Sequence, residues 1–160
     1  MSTSANVDKD YKLWILLHQS KDNVFKIRDN ELKQFGISVA EAGTLYVVKA
    51  IDKTEGKVTP SKIAKGMLRQ HHTVTALLKR MEKKGLITRS KDPDNKGALI
   101  IELTEKGETA LKRSYKRDSL HRIMSVFSED EKKQLEEYLL RLRDNAIRHA
   151  FDMPIMPFEE

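Results

Sequence analysis

Apolar residues recur along most of this chain at helical spacing. From Tyr11 to about Gln34 the positions Trp14, Leu17, Val24, Ile27 and Leu32 form an apolar stripe. Phe35-Gly36 ends that helix, because glycine takes the left-handed C-terminal conformation without strain. At ~1.5 Å per residue such a helix is about 36 Å long, more than one small lobe needs. Ser38-Val-Ala-Glu41 is a capping box, in which a hydroxyl and a carboxylate satisfy free amides at a helix start. It predicts a helix to about Lys53 with Ala42, Leu45, Val48 and Ile51 inward, followed by a loop over Thr54–Lys57. Thr59-Pro60 places an N-cap before a proline at the first helical position. A short helix over Ser61–Met67 follows, burying Ile63, Ala64 and Met67. Beyond a tight turn near Leu68-Arg69, Val74, Leu77, Leu78 and Met81 fall at i, i+3, i+4 and i+7, one face of a helix over Gln70–Lys84 that stops at Gly85.

Leu86–Ser90 and Ala98–Leu103 are rich in β-branched and apolar residues and read as a hairpin. Lys91–Gly97 between them is dense in turn formers and predicts a long, mobile tip. Thr104 caps a helix predicted over Glu105–Ser125, with Leu111, Tyr115, Ile123 and Met124 as its apolar positions. Ser128-Glu-Asp-Glu131 is a second capping box. It opens a helix to about His149 carrying Leu135, Tyr138, Leu139, Leu142 and Ala146. The proline-containing stretch after Asp152 predicts a non-helical tail. The fold class is mainly α with a small β-hairpin.

Composition narrows the function. The 160 residues are a soft prior for one domain. The longest apolar run, Leu13–Leu17, is far short of the ~20 residues that span a bilayer. Met1–Asp10 lacks the charged-then-apolar layout of a signal peptide. Zero cysteines exclude disulfides, thiolate catalysis and cysteine-ligated zinc, and the expected compartment is the cytoplasm. No Gly-rich phosphate loop, Gly-x-Ser-x-Gly or His/Asp/Glu cluster at metal spacing is present, so neither enzyme chemistry nor a cofactor or metal is expected.

The net charge of +6 is unevenly placed. Lys57 to Gly97 holds eleven basic residues against three acids, a net of +8, leaving −2 for the rest. On the Gln70–Lys84 helix, the face opposite the apolar stripe is centred on His72, Ala76, Lys79 and Lys83, flanked by Arg69, Thr75 and Arg80. Only Glu82 at its margin is acidic. A solvated helix face ordinarily mixes signs, so this one points to a polyanion. Two short helices joined by a tight turn form a helix-turn-helix, whose second helix presents its N-terminal residues to base edges in the major groove. The hairpin downstream with a basic tip is then a wing. Ordinary α-hairpin packing explains the spacing alone, but not its coincidence with the one-sided charge and the hairpin.

The candidate contacts to double-stranded DNA follow. At the start of the first short helix, Thr59, Ser61 and Lys62 suit phosphate, Thr59 serving equally as a cap alone. On the second helix and its entry the candidates are Arg69, Gln70, His71, His72, Thr73, Thr75, Lys79 and Arg80. In the hairpin they are Arg89, Lys91, Asn95 and Lys96. The adjacent His71 and His72 point about 100° apart, which suits DNA contact and not a shared metal.

Thr59-Pro-Ser-Lys-Ile-Ala, Thr73-Val-Thr-Ala-Leu-Leu-Lys-Arg-Met-Glu-Lys-Lys-Gly-Leu-Ile-Thr-Arg89, Asp92-Pro-Asp-Asn-Lys96 and Leu103-Thr-Glu-Lys-Gly107 together resemble the MarR family of transcription regulators. The resemblance implies a winged helix-turn-helix lobe over 37–104. It also implies a helical dimerisation region over 11–36 and 105–150, leaving tails at 1–10 and 152–160. A homodimer on a pseudo-palindromic operator is implied, with repression as the usual sign and a small-molecule effector in many members. Trp14 and His18, at i, i+4 on the first helix, fall in the region that lines the family's dimer interface and ligand pocket, though a Trp there is more often core. Where the family's wing carries Asp-x-Arg, this chain has Asp94-Asn95-Lys96, followed by Gly97. Lysine keeps the charge and loses the planar fork, so phosphate contact is expected of Lys96. The alternative reading is a winged helix used for protein contact without specific DNA binding.

Overall fold

Caps and turn residues set the element boundaries over residues 8–150, which the computed structural model describes. In order these are α1 (Lys9–Lys33), α2 (Val39–Glu55), α3 (Pro60–Gly66), α4 (His71–Lys83), β1 (Ile87–Asp92), β2 (Asn95–Leu103), α5 (Glu105–Ser114), α6 (Asp118–Met124) and α7 (Glu129–Ala150). Ser38 and Glu41 close the reciprocal capping box of α2. Thr59 and Thr104 accept hydrogen bonds from Lys62 N and Gly107 N at the starts of α3 and α5. Gly36 and Gly85 adopt positive φ just past α1 and α4. Each closes the paired bonds that satisfy a helix's last carbonyls, as in Gly85 N to Glu82 O and Leu86 N to Met81 O. The expected non-helical tail at 152–160 lies outside the described residues.

Of the described residues, those up to Ser119 form one compact unit and those from Leu120 a second. In the first, the predicted inner faces meet. Val74, Leu77, Leu78 and Met81 of α4 are buried with Leu45, Val48 and Ile51 of α2, Ile63 of α3, Leu86, Ile87 and Ile101 of the hairpin, and Leu111 of α5. Each fully buried aliphatic side chain contributes about 1.5–3 kcal/mol relative to exposure. The hairpin is antiparallel, with Ile87 opposite Leu103 and Lys91 opposite Leu99. The stretch before α3 lies along its free edge, where Ile101 N donates to Val58 O at 2.9 Å.

Two expectations need correction. The predicted helix over Glu105–Ser125 is two helices, broken after Ser114. The cause is Arg28, buried on α1. Its guanidinium donates to Ser114 O at 2.5 Å and Lys116 O at 2.8 Å, and also pairs with Glu31. Those carbonyls are satisfied outside the helix. Glu31 in turn accepts from Ser119 N at 3.1 Å and from the Ser119 hydroxyl, supplying from α1 a cap at the start of α6. Burial pushes the Glu31 carboxyl up, but the Ser119 and Arg28 bonds outweigh it and bring the pKa down to about 2.

The wing tip is tight where a long mobile loop was expected. Pairing runs out to Asp92 opposite Asn95, with Pro93-Asp94 as the turn and Asp94 N donating to Asp92 Oδ1 at 3.0 Å. The register shifts between Lys91 and Asp92, so Lys96, Gly97 and Ala98 are the extra residues on β2.

The long helices leave most of their apolar stripes uncovered. Trp14, Leu17 and Ile27 on α1 are about half exposed, and Leu32 is the buried member of the predicted stripe. On α7, Tyr138, Leu139 and Leu142 are exposed while Ile147 is buried. The stripes exist at the predicted spacing but face solvent in the single chain.

Candidate nucleic-acid interface

The connection from α3 to α4 is fixed by backbone geometry. Leu68 N donates to Lys65 O and Arg69 N to Ala64 O, both at 3.0 Å, a helix-ending turn that puts Leu68 at φ +51°. Glycine is the usual occupant of such a site; leucine there carries backbone strain. The turn delivers Arg69 and Gln70 to the start of α4. Gln70 gives no side-chain bond to the helix start, so the first-turn amides of α4 have no side-chain cap there. His71, His72 and Thr73 stand exposed on that turn. Thr75 is half-buried, its hydroxyl donating to His71 O at 2.9 Å. Ala76, Lys79, Arg80 and Lys83 continue the outer face, all exposed.

A cleft of about 640 Å³ runs between the start of α3, the outer side of α4 and the wing. Of the residues expected from the sequence, it brings together Thr59, Ser61, His71, Thr75, Arg89 and Asn95. Arg69, Gln70, His72, Thr73, Lys79, Arg80, Lys91 and Lys96 lie outside it, exposed.

Four of the eleven basic residues are engaged internally. Lys62 Nζ sits 2.7 Å from Glu55 and donates to Lys57 O at 2.9 Å. Arg89 forks onto Glu82, with Nη2 at 2.5 Å and Nε at 2.7 Å. Lys84 pairs with the buried Glu41 at 2.8 Å. Lys57 pairs with Asp92 at 2.9 Å and Asp94 at 2.6 Å. Among the described residues, no acid pairs with Lys65, Arg69, Lys79, Arg80, Lys83, Lys91 or Lys96. The Lys57 ammonium, joined by the Asp94 amide, holds the Asp92 carboxyl below its ordinary range, and Asp94 with Asp92 raises Lys57. The sequence reads Lys57 and Asp92 as charges and not as a pair; the available signal was the Asp-Pro-Asp turn, whose first carboxylate bonds its own backbone.

Trp14 and His18 do share a side of α1. Their rings stack at 5.7 Å between centroids, Tyr11 stacks on Trp14 at 5.6 Å, and His18 Nε2 lies 3.4 Å from Asp22. All lie on the exposed part of α1. Among the described residues no three His, Asp or Glu side chains converge as metal ligands, and no helix is long and apolar enough to cross a membrane.

A family profile described as MarR family matches residues 50–96, which run from the end of α2 to the wing. The HTH-type transcriptional regulator SarZ of Staphylococcus saprophyticus is 31% identical over 97 residues, 61% of this chain. The match spans 64% of the length of that relative. SarZ of Staphylococcus aureus is 28% identical over 97 residues, 61% of this chain and 63% of its own. The ligand-free organohalide-sensing regulator RdhR-CbdbA1625 superposes with a TM-score of 0.89 at 24% identity, covering 100% of this chain and 95% of its own. A MarR variant from E. coli complexed with operator DNA gives 0.78 at 20% identity, over 87% of this chain and 99% of its own. The S. aureus MepR–DNA complex gives 0.71 at 25% identity, over 88% and 99%. Matched in sequence across its helix-turn-helix and wing, and in fold over most or all of its length, this chain is similar to the MarR-family regulators.

Proposed function

We propose that the protein is a sequence-specific, DNA-binding transcription regulator that works as a homodimer on a pseudo-palindromic operator. The observation that carries this reading is the exposed outer face of α4, where Lys79, Arg80 and Lys83 follow His71 and His72 with no acid paired to any of them among the described residues. That helix enters a major groove, and the wing, through Asn95 and Lys96, meets the adjacent backbone. SarZ, named a transcriptional regulator, and the DNA complexes of MarR and MepR support the same reading.

Residues 37–104 act as the reading lobe, and 11–36 with 105–150 as the dimerisation region. The exposed apolar residues of α1 and of α7, taken separately, are what a second copy would cover. Repression is the expected sign, with a small-molecule effector shifting the population between DNA-competent and incompetent spacings. Trp14 and His18 are the candidate effector contacts. The RdhR relative has been solved with 2,4-dichlorophenol bound, which supports an effector role in this fold. The protein acts without catalysis, in the cytoplasm.

Selection of bound duplexes from random DNA, with light scattering on the free protein, tests this. The expected result is a two-fold-related motif with half-sites about 10–10.5 bp apart and a mass of two chains. Enrichment of no sequence, or a one-chain mass at micromolar concentration, would overturn it.

A further inference from the structure

The wing is a two-stranded hairpin, an arrangement that is marginal on its own in water. Its base is anchored by the buried Ile87 and Ile101, while Pro93–Gly97 at its end are exposed. Something other than core packing must set where that end sits.

Asp92 is the anomaly. It lies at the tip of a surface hairpin, yet is 7% exposed. Lys57 Nζ reaches both of its carboxylate oxygens, at 2.9 and 3.2 Å, and Asp94 Oδ2 at 2.6 Å. Asp92 Oδ1 also accepts the Asp94 amide that shapes the turn. The anchor at the other end is itself fixed: Lys57 O accepts from Lys62 Nζ, which Glu55 holds. A chain of polar contacts thus runs from the end of α2, past the start of α3, to the turn that carries Asn95 and Lys96. Lys57 stands two residues before Thr59, the cap of α3, so helix-turn-helix and wing tip share one anchor.

We infer that the Lys57–Asp92 pair is a positioning clamp for DNA recognition, holding the wing tip where Asn95 and Lys96 engage the duplex. This rests on the DNA-binding reading above. The placement of two carboxylates beside a surface that faces phosphates makes sense in these terms: Lys57 offsets their repulsion, and they hold the tip in exchange for one cation. Lys57 and Asp92 are positioning residues; Lys96 makes the contact.

The sign of one substitution separates positioning from plain electrostatics. Asp92→Asn keeps an oxygen to accept the Asp94 amide but removes the buried one of the two carboxylates that hold Lys57, leaving the exposed Asp94, and adds +1 to a DNA-facing surface. Charge alone predicts tighter binding. The clamp predicts binding to the selected duplex about tenfold weaker, as for the loss of one good contact. It also predicts a salt slope lower by about one unit, because Lys96 no longer meets its phosphate. Lys57→Met should weaken binding as well, Lys57→Arg should retain it, and the Lys57→Met/Asp92→Asn double variant should be no weaker than the worse single. Amide exchange at residues 94–97 should quicken in Asp92→Asn with far-UV dichroism unchanged. If Asp92→Asn binds the duplex as tightly as wild type or tighter, the clamp fails while the DNA-binding reading stands. If wild type selects no duplex, the reading itself fails and the inference with it.

Discussion

Gly107 offers the sharpest test of the packing that supports the lobe. It lies in the first turn of α5, buried, where a Cβ built on its backbone would meet Leu86 O at 2.0 Å and Leu86 C at 3.1 Å. Close carbon–oxygen contacts settle at about 3.3 Å, so Gly107→Ala forces the start of α5 and the α4–β1 turn apart by more than about 1 Å. That seam is held by Thr104 N donating to Leu86 O at 3.1 Å and the Thr104 hydroxyl donating to Gly85 O at 2.6 Å. Losing both costs about 2 kcal/mol and overpacking about 1–3 kcal/mol more, against a gain of ~1 kcal/mol from alanine's helix propensity. The net expectation is a loss of about 2–4 kcal/mol, or about 5–15 °C in Tm for a chain of this size. Urea unfolding followed by far-UV dichroism at matched protein concentration reads it, with the m-value unchanged. Gly66→Ala is the comparison: its Cβ would meet a side-chain methyl of Val47 at 2.8 Å and no backbone atom, so the loss should be smaller, about 1 kcal/mol. A Gly107→Ala protein as stable as wild type, or losing no more than Gly66→Ala, would refute the reasoning.

Other expectations follow from the same contacts. Glu31→Gln should destabilise at neutral pH by about 1.5–3 kcal/mol, the range for hydrogen bonds to a charged group. Since the folded pKa of about 2 lies below the ordinary 4.5, the Glu31 contribution is present above about pH 4.5 and lost as pH falls toward 2. A stability gap between wild type and variant that stays constant over that window would contradict it. Leu68→Gly removes a left-handed strain of ~1–2 kcal/mol and returns ~0.5–1 kcal/mol of unfolded-state entropy, so the urea midpoint should rise slightly; a fall would show that the leucine side chain outweighs its backbone. Lys79→Ala and Lys96→Ala should each lower affinity across sequences and take about one unit from the salt slope, whereas Lys62→Ala, whose ammonium is held by Glu55 and Lys57 O, should leave the slope unchanged. Equal slopes for all three variants would remove that distinction.

What could be read from the sequence was whatever local chemistry encodes. The Ser38 and Ser128 capping boxes, the Thr59 and Thr104 caps and the two glycine stops each declare an element end within four residues, and the α4 apolar face repeats at a period that permits one burial side. The turn after α3 uses the same backbone bonds as the Gly36 and Gly85 turns, yet Leu68 carries no such signature. The break between α5 and α6 has neither proline nor glycine; it is written by Arg28, whose carbonyl partners are 86 and 88 residues away. Long-range polar satisfaction of that kind leaves no local trace. The exposed stripes of α1 and α7 had a period but no partner in one chain, which is why periodicity found them and single-chain burial does not account for them.

The charge count shows the same divide between composition and geometry. Eleven cations in 41 residues set an upper bound on phosphate partners, but Glu41, Glu55, Glu82, Asp92 and Asp94 hold four of those cations inside the lobe. Three of these acids fall within the segment and were subtracted as charge; Glu41 and Glu55 lie upstream and entered only the −2 of the remainder. What remains is geometrically coherent: Arg69, Lys79, Arg80 and Lys83 around α4, Lys65 on α3, Lys91 and Lys96 on the wing. Seven phosphates neutralised per protomer give a salt slope of at most about 6 per protomer, or about 12 for a dimer on its operator, where eleven would give about 10 and about 20. A measured slope near the higher value would mean that DNA outcompetes the internal carboxylates and that the wing clamp opens on binding. A slope at or below the lower one means that the lobe's ion pairs are part of its architecture, and that affinity is set by the cations the fold leaves free.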